Sequence, residues 1–153
     1  MKSRSADELA AELAAHPGFL IRRAHQVSVA LFNARYGPYG ITPTQALCMH
    51  AIQHQPGIDQ VTVARLIQMD HATSAMVIAG LAKAGYISRA VDPRDRRRRT
   101  LSLTRKGLGL MRRMGPFPDS AAELVAVFGE NDARAFTTLL TRFIEEHAQT
   151  LNA

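Results

Sequence analysis

The run Pro93-Arg94-Asp95-Arg96-Arg97-Arg98-Arg99 places five arginines beside one aspartate. No core can enclose that much like charge, because each cation taken out of water without a partner costs several kcal/mol. The run must be an exposed loop. On either side of it, Tyr86 to Val91 and Thr100 to Thr104 alternate apolar and polar residues, with Ile87, Val91, Leu101 and Leu103 as the inward set. Asp92-Pro93 opens the turn, so the stretch is predicted to be a β-hairpin with an arginine-rich tip.

What precedes the hairpin is helical. Asp59 or Gln60 begins a short helix with Val61, Val63, Ala64, Leu66 and Ile67 on its apolar side. Asp70 is placed to cap a second helix over His71 to Ala84, whose periodicity buries Ala75, Ile78 and Leu81. The opposite side carries His71, Ala72, Thr73, Ser74 and Met76, and its small and hydroxyl side chains let a helix approach another body closely. Gly85 ends this helix as a C-cap. Helix, turn, helix and hairpin then follow one another from Gln60 to Thr104.

Charge is concentrated in the same segment. Lys83 through Lys106 holds nine basic and two acidic residues, or +7, whereas the rest of the chain has 10 basic against 11 acidic and sums to −1. A formal charge of +6 is thus a local footprint for a polyanion and not a general property of the surface. With 153 residues, 46% hydrophobic, the chain is long enough for one globular domain with a real core. Cys48 is the sole cysteine, which excludes an internal disulfide and a multi-cysteine metal site. No 18-residue uncharged apolar stretch occurs, and a soluble, cytoplasmic protein without a membrane span is expected.

Flanking helices complete the chain. Ser5 to Leu9 can begin a short helix that His16-Pro17-Gly18 breaks, and a longer one is expected from Phe19 to about Arg35. Its apolar arc, from Phe19 and Leu20 through Val27 to Phe32, is wider than one buried stripe requires and calls for a partner chain. Thr42-Pro43-Thr44-Gln45 is a capping box with proline at the first helical position. Thr104 caps a helix that Gly115-Pro116-Phe117-Pro118 interrupts; further helices are expected over Asp119 to Phe128 and Ala133 to about Leu151.

These features together resemble the MarR family of winged helix-turn-helix transcriptional regulators. The resemblance is carried by Ile41-Thr-Pro-Thr-Gln45, Val61-Thr-Val-Ala-Arg-Leu66, Asp70-His-Ala-Thr-Ser74, Leu81-Ala-Lys-Ala-Gly-Tyr-Ile87 and, above all, Asp92-Pro-Arg-Asp-Arg-Arg-Arg-Arg99 followed by Leu103-Thr-Arg-Lys-Gly107. It implies a mainly α fold with a small β-hairpin wing, a single domain over 1–153 with a winged core at 42–104, and dimerisation helices at 17–36 and 119–151. It also implies a homodimer on a palindromic operator in double-stranded DNA, with the Asp70 to Ala84 helix in the major groove and Arg97 in the adjacent minor groove. The wing around Arg96 and Arg97 would reach that groove, and Asp95 would support the wing by pairing with a basic side chain, for which Arg65 is a candidate; Arg94, Arg98 and Arg99 of the same tip are read beside them as phosphate contacts. Family members often carry arginine or another polar residue where this chain has Met76, which argues against hydrogen-bonded base reading from that position.

The opening Gly18-Phe-Leu-Ile-Arg-Arg-Ala-His25 is similar to members of the family that control aromatic-acid catabolism. That likeness implies a repressor released by a small aromatic carboxylate or phenol. Phe19, Arg22, His25 and His50 are the candidate ligand residues, since a guanidinium fork matches a planar carboxylate; His25 or His50 can instead be a core histidine, the simpler reading for His50. The six histidines show no metal spacing: HAIQH lacks the glutamate of HExxH and a third ligand. No phosphate loop, dinucleotide fingerprint or nucleophile elbow is present, so neither a cofactor nor an enzymatic activity is expected. The competing expectation is an architectural protein that binds DNA without sequence preference or ligand.

Overall fold

The computed structural model describes residues 5–92, 95, 98–115 and 120–147. The chain divides into two compact units, Met1–Gly115 and Pro116–Ala153.

In the first unit, Ser5 and Glu8 close a capping box on α1 (Ala6–Ala15). Helix α2 (Pro17–Tyr36) occupies the expected stretch 17–36 and starts on Pro17, because proline at the first helical position is preset for the turn and has no N–H to leave unsatisfied. Neither helix is built into a core: α1 buries nothing, and α2 buries only Tyr36. The predicted excess of apolar surface on α2 is real, with Leu20, Ile21, Val27 and Leu31 all exposed.

The compact part begins at α3 (Pro43–His54), where Thr42 and Gln45 form the expected capping box. It continues through α4 (Gln60–Leu66) and α5 (His71–Lys83), the strands β2 (Ile87–Val91) and β3 (Arg99–Leu103), and α6 (Arg105–Met114). Met49, Ile52, Val63, Ile78, Leu81, Leu101 and Leu110 are sealed from solvent. A third strand, β1 (Ile58–Asp59), lies before α4 and makes the sheet antiparallel with order β1-β3-β2. Two residues are too short a run to show alternation, which is why the sequence suggested only a hairpin. Within that hairpin Ile87 and Leu101 point inward as predicted and Leu103 is half-buried, but Val91 is exposed, since its register partner is Arg99 at the open end of the ladder.

The second unit holds α7 (Ser120–Phe128) and α8 (Glu130–Glu146). Helix α8 begins earlier than the predicted Ala133: Gly129 takes φ +79° ahead of it, and Glu130 and Asp132 place negative charge in the first turn. It also ends earlier, at Glu146 and not near Leu151. Ala133 is the one buried residue among those described in this unit.

Candidate nucleic-acid interface

Helices α4 and α5 share one local design. Asp59 caps α4 by accepting from the amide of Thr62 at 3.1 Å and from its hydroxyl at 2.8 Å. Asp70 caps α5 in the same way, accepting from the amide of Thr73 at 2.8 Å and from its hydroxyl at 2.6 Å. These bonds hold the Asp70 carboxyl below the usual carboxylate range. Gln68 in the turn between the helices adopts φ +51°, and the Met69 amide donates back to the Ala64 carbonyl at 2.9 Å. The turn is therefore fixed at both ends.

Helix α5 packs through Ser74, Ile78 and Leu81. This corrects two expectations. Ala75 is only half-buried, and Ser74, predicted to face outward with Thr73, is 1% exposed and spends its hydroxyl on the His71 carbonyl at 2.9 Å. Periodicity misplaced Ser74 because a serine that bonds back to its own helix buries like a small apolar residue. The outward face consists of His71, Ala72, Met76, Ala79, Gly80 and Lys83, with Met76 69% exposed. Thr73 is half-buried, and Arg65 is exposed on α4.

Sheet register explains how the wing is held. Asp59 is paired with Thr100, which puts its carboxylate diagonal to Arg98 on the same face. Arg98 donates to Asp59 at 2.5 Å. Burial pushes the Asp59 carboxyl up, but the hydroxyl and amide of Thr62 and the guanidinium of Arg98 outweigh it and bring the pKa to about 2. Backbone bonds narrow the base of the tip: the Arg98 amide donates to the Asp95 carbonyl at 2.9 Å, and the Asp92 amide to the Arg98 carbonyl at 3.1 Å. Arg98, predicted to face DNA, is thus also a structural anchor, with its side chain still 54% exposed. Arg99 is exposed on β3, and Arg94, Arg96 and Arg97 lie outside the described residues. The role of Asp59 was missed from sequence. Its signal was there, in the Asp-x-x-Thr spacing it shares with Asp70.

The four candidate ligand residues are only partly assembled. The Arg22 guanidinium sits 5.1 Å from the centre of the Phe19 ring. His25 is exposed and lines a shallow surface concavity of α2 together with Arg23, Gln26 and Val29; Phe19, Arg22 and His50 do not line it. His50 is half-buried on α3 with its ring centre 4.4 Å from that of His54, and burial followed by the nearby His54 lowers its pKa. No group of three metal-ligating side chains occurs among the described residues. No described helix is long and apolar enough to cross a membrane.

Comparison with known proteins agrees with this geometry. Residues 39–98 match the model of the MarR family. The transcriptional regulator HosA of Escherichia coli O111:H- is 35% identical over 83 residues, which is 54% of this chain and 62% of HosA. The PcaV transcriptional regulator of Streptomyces coelicolor, solved with its natural ligand, is 30% identical with a TM-score of 0.73, covering 97% of this chain and 99% of that one. The MepR–DNA complex of S. aureus shares the fold at 22% identity, with a TM-score of 0.78 over 86% of this chain and 98% of that one. Arginine-tipped wing, twin-capped helix pair and full-length likeness to PcaV agree, and the chain is a member of the MarR family of winged helix-turn-helix transcriptional regulators.

Proposed function

We propose that the protein works as a homodimer that binds a palindromic operator in double-stranded DNA and represses transcription until a small aromatic carboxylate or phenol releases it. The observation that carries this reading is the union, in one compact unit, of an exposed α5 face with a β2–β3 hairpin whose connecting sequence is rich in arginine. Helix α5 enters the major groove with His71 and Met76, both on its outward face, turned toward it. Arg97 enters the minor groove, where a narrow A·T-rich stretch concentrates negative potential. Arg94, Arg96, Arg98 and Arg99 neutralise phosphates, and Asp95 steadies the wing against Arg65. The likeness to a regulator solved with DNA supports the fold needed for this docking.

The ligand half of the reading rests on Arg22 above the Phe19 ring and on the likeness to PcaV, which was solved with a natural ligand. Ring, guanidinium and the imidazoles of His25 and His50 suit an aromatic acid held between α2, α3 and the winged core. Release requires that the ligand favour a dimer whose two α5 helices no longer match successive major grooves about 34 Å apart.

The test is a titration onto the DNA immediately upstream of the gene, with scrambled duplex at the same salt, repeated with benzoate- and pyridine-carboxylates. Selective binding weakened by one compound is expected. Selective binding indifferent to every compound removes the ligand half. Equal affinity for both duplexes removes the operator and moves the protein to an architectural role.

A further inference from the structure

We infer that α5 reads its half-site chiefly through thymine methyl groups, with Met76 as the side chain that determines specificity. The inference rests on the proposed major-groove docking of α5.

The argument is an account of donors. Three side chains near the starts of the helix pair bear hydroxyls, of which Thr73 and Ser74 are the two that sequence alone would turn toward DNA, and each has its proton committed within the protein. Thr62 donates to Asp59 at 2.8 Å, Thr73 to Asp70 at 2.6 Å and Ser74 to the His71 carbonyl at 2.9 Å. Ser74 is in addition buried. Between His71 at one end of the outward face and Lys83 at the other, the exposed positions are Ala72, Met76, Ala79 and Gly80, none with a polar side-chain atom.

A helix pressed into the major groove with such a face has no side chain there that can form the bidentate pairs by which guanine and adenine are recognised. Among the base edges of that groove, the feature an apolar side chain can read is the C5 methyl of thymine. Met76 is 69% exposed, unbranched and adaptable, and reaches furthest from this face. Ala72 precedes it by four residues and stands on the same side of the helix. His71 and Lys83 then serve the flanking phosphates, while discrimination in the middle of the half-site comes from methyl burial.

The experiment uses the full chain and the tightest-binding duplex selected from a random pool. In that duplex each thymine is replaced in turn by deoxyuridine, symmetrically in both half-sites; this keeps base pairing and removes only the C5 methyl. One or two thymines per half-site are expected to respond, each by about fourfold per methyl removed, the worth of one buried methyl-sized group. Met76→Ala, a change at an exposed position, is expected to bind the natural duplex more weakly and to become indifferent to deoxyuridine at one of those thymines. Selective binding by the unmodified protein that ignores every deoxyuridine overturns methyl readout and leaves the operator reading standing. Failure to enrich any sequence from the pool overturns the operator reading itself. Full deoxyuridine sensitivity in Met76→Ala overturns the assignment to Met76.

Discussion

Gly107 lies in the first turn of α6, where the helix leaves the sheet, and a Cβ at this position would stand 2.1 Å from the Tyr86 carbonyl oxygen and 3.1 Å from its carbon. Backbone cannot retreat as a flexible side chain can, and the same carbonyl already accepts from the Thr104 amide at 3.0 Å and its hydroxyl at 3.2 Å. The glycine of the Leu103-Thr-Arg-Lys-Gly107 signature is therefore demanded by a close approach. Gly107→Ala is expected to cost about 2–3 kcal/mol in urea unfolding. Gly109 in the same helix meets nothing within 4 Å, so Gly109→Ala should be stabilising by up to about 1 kcal/mol through helix propensity alone. Equal effects of the two changes would refute the steric account. Cys48 gives a second residue-level prediction. It is fully buried, and burial pushes its thiol pKa up to about 11, so almost no thiolate exists near neutral pH. A thiol reagent should leave the native protein unlabelled and react stoichiometrically in denaturant; rapid native labelling would show that the α3 core opens.

At the scale of elements, the wing is tied to the helix-turn-helix by the Asp59–Arg98 pair, and the tie has a pH signature. The bonds from the Thr62 hydroxyl and amide, and after them the Arg98 guanidinium, depress the folded Asp59 pKa to about 2 from the usual 3.8, so the contribution of the ionised carboxylate to stability is complete above pH 4 and is lost as pH falls toward 2. Because the Arg98 side chain is 54% exposed and screened by water, the contribution is on the order of 1 kcal/mol and not the larger figure a shift of that size implies in a dry site. Asp59→Asn keeps an N-cap acceptor and removes the charge. Its stability in urea should trail that of the unaltered protein by this amount at pH 5, and the gap should close by pH 2; a gap that is constant with pH would mean that the charge is irrelevant. The pair also shows what sequence could and could not disclose. Capping residues Thr42, Asp70 and Thr104 were legible because a cap is a local arrangement of a side chain and the amide three residues on. The two-residue β1 and the bond from Arg98 to Asp59 were not, because both depend on a register between segments some forty residues apart, and the exposure of Val91 was not, because it depends on where the β2–β3 ladder opens. Ser74 failed for a third reason: its burial is decided by where its hydroxyl bonds, which hydrophobic period ignores.

For the molecule as a whole, the unpartnered apolar faces decide how many chains act together. Helix α8 spaces Phe136, Leu139, Leu140, Phe143 and Ile144 along one side, and all are between 38% and 60% exposed; α2 leaves Leu20, Ile21, Val27 and Leu31 exposed in the other unit. Solvated monomers rarely carry apolar stripes of this extent, and burying even one such side chain is worth roughly 1.5–3 kcal/mol. The proposed dimer is the economical way to cover them, and it makes a quantitative link to DNA. Sedimentation at micromolar concentration should give about twice the chain mass of 16.8 kDa, and Leu139→Glu together with Phe143→Glu should give the monomer with unchanged helix content. A dimer engages two half-sites at once, whereas a monomer keeps only one wing and one α5. The monomeric variant should therefore bind the duplex at least a hundredfold more weakly, since the second half-site no longer binds as a tethered, intramolecular event. Its dependence of log affinity on log salt should also flatten to about half, because half as many arginine–phosphate contacts release counterions. An unaltered protein that sediments as a monomer would leave the apolar stripes unexplained by self-association. A monomeric variant with undiminished affinity and salt slope would show that one chain suffices, and with it the palindromic operator would fall.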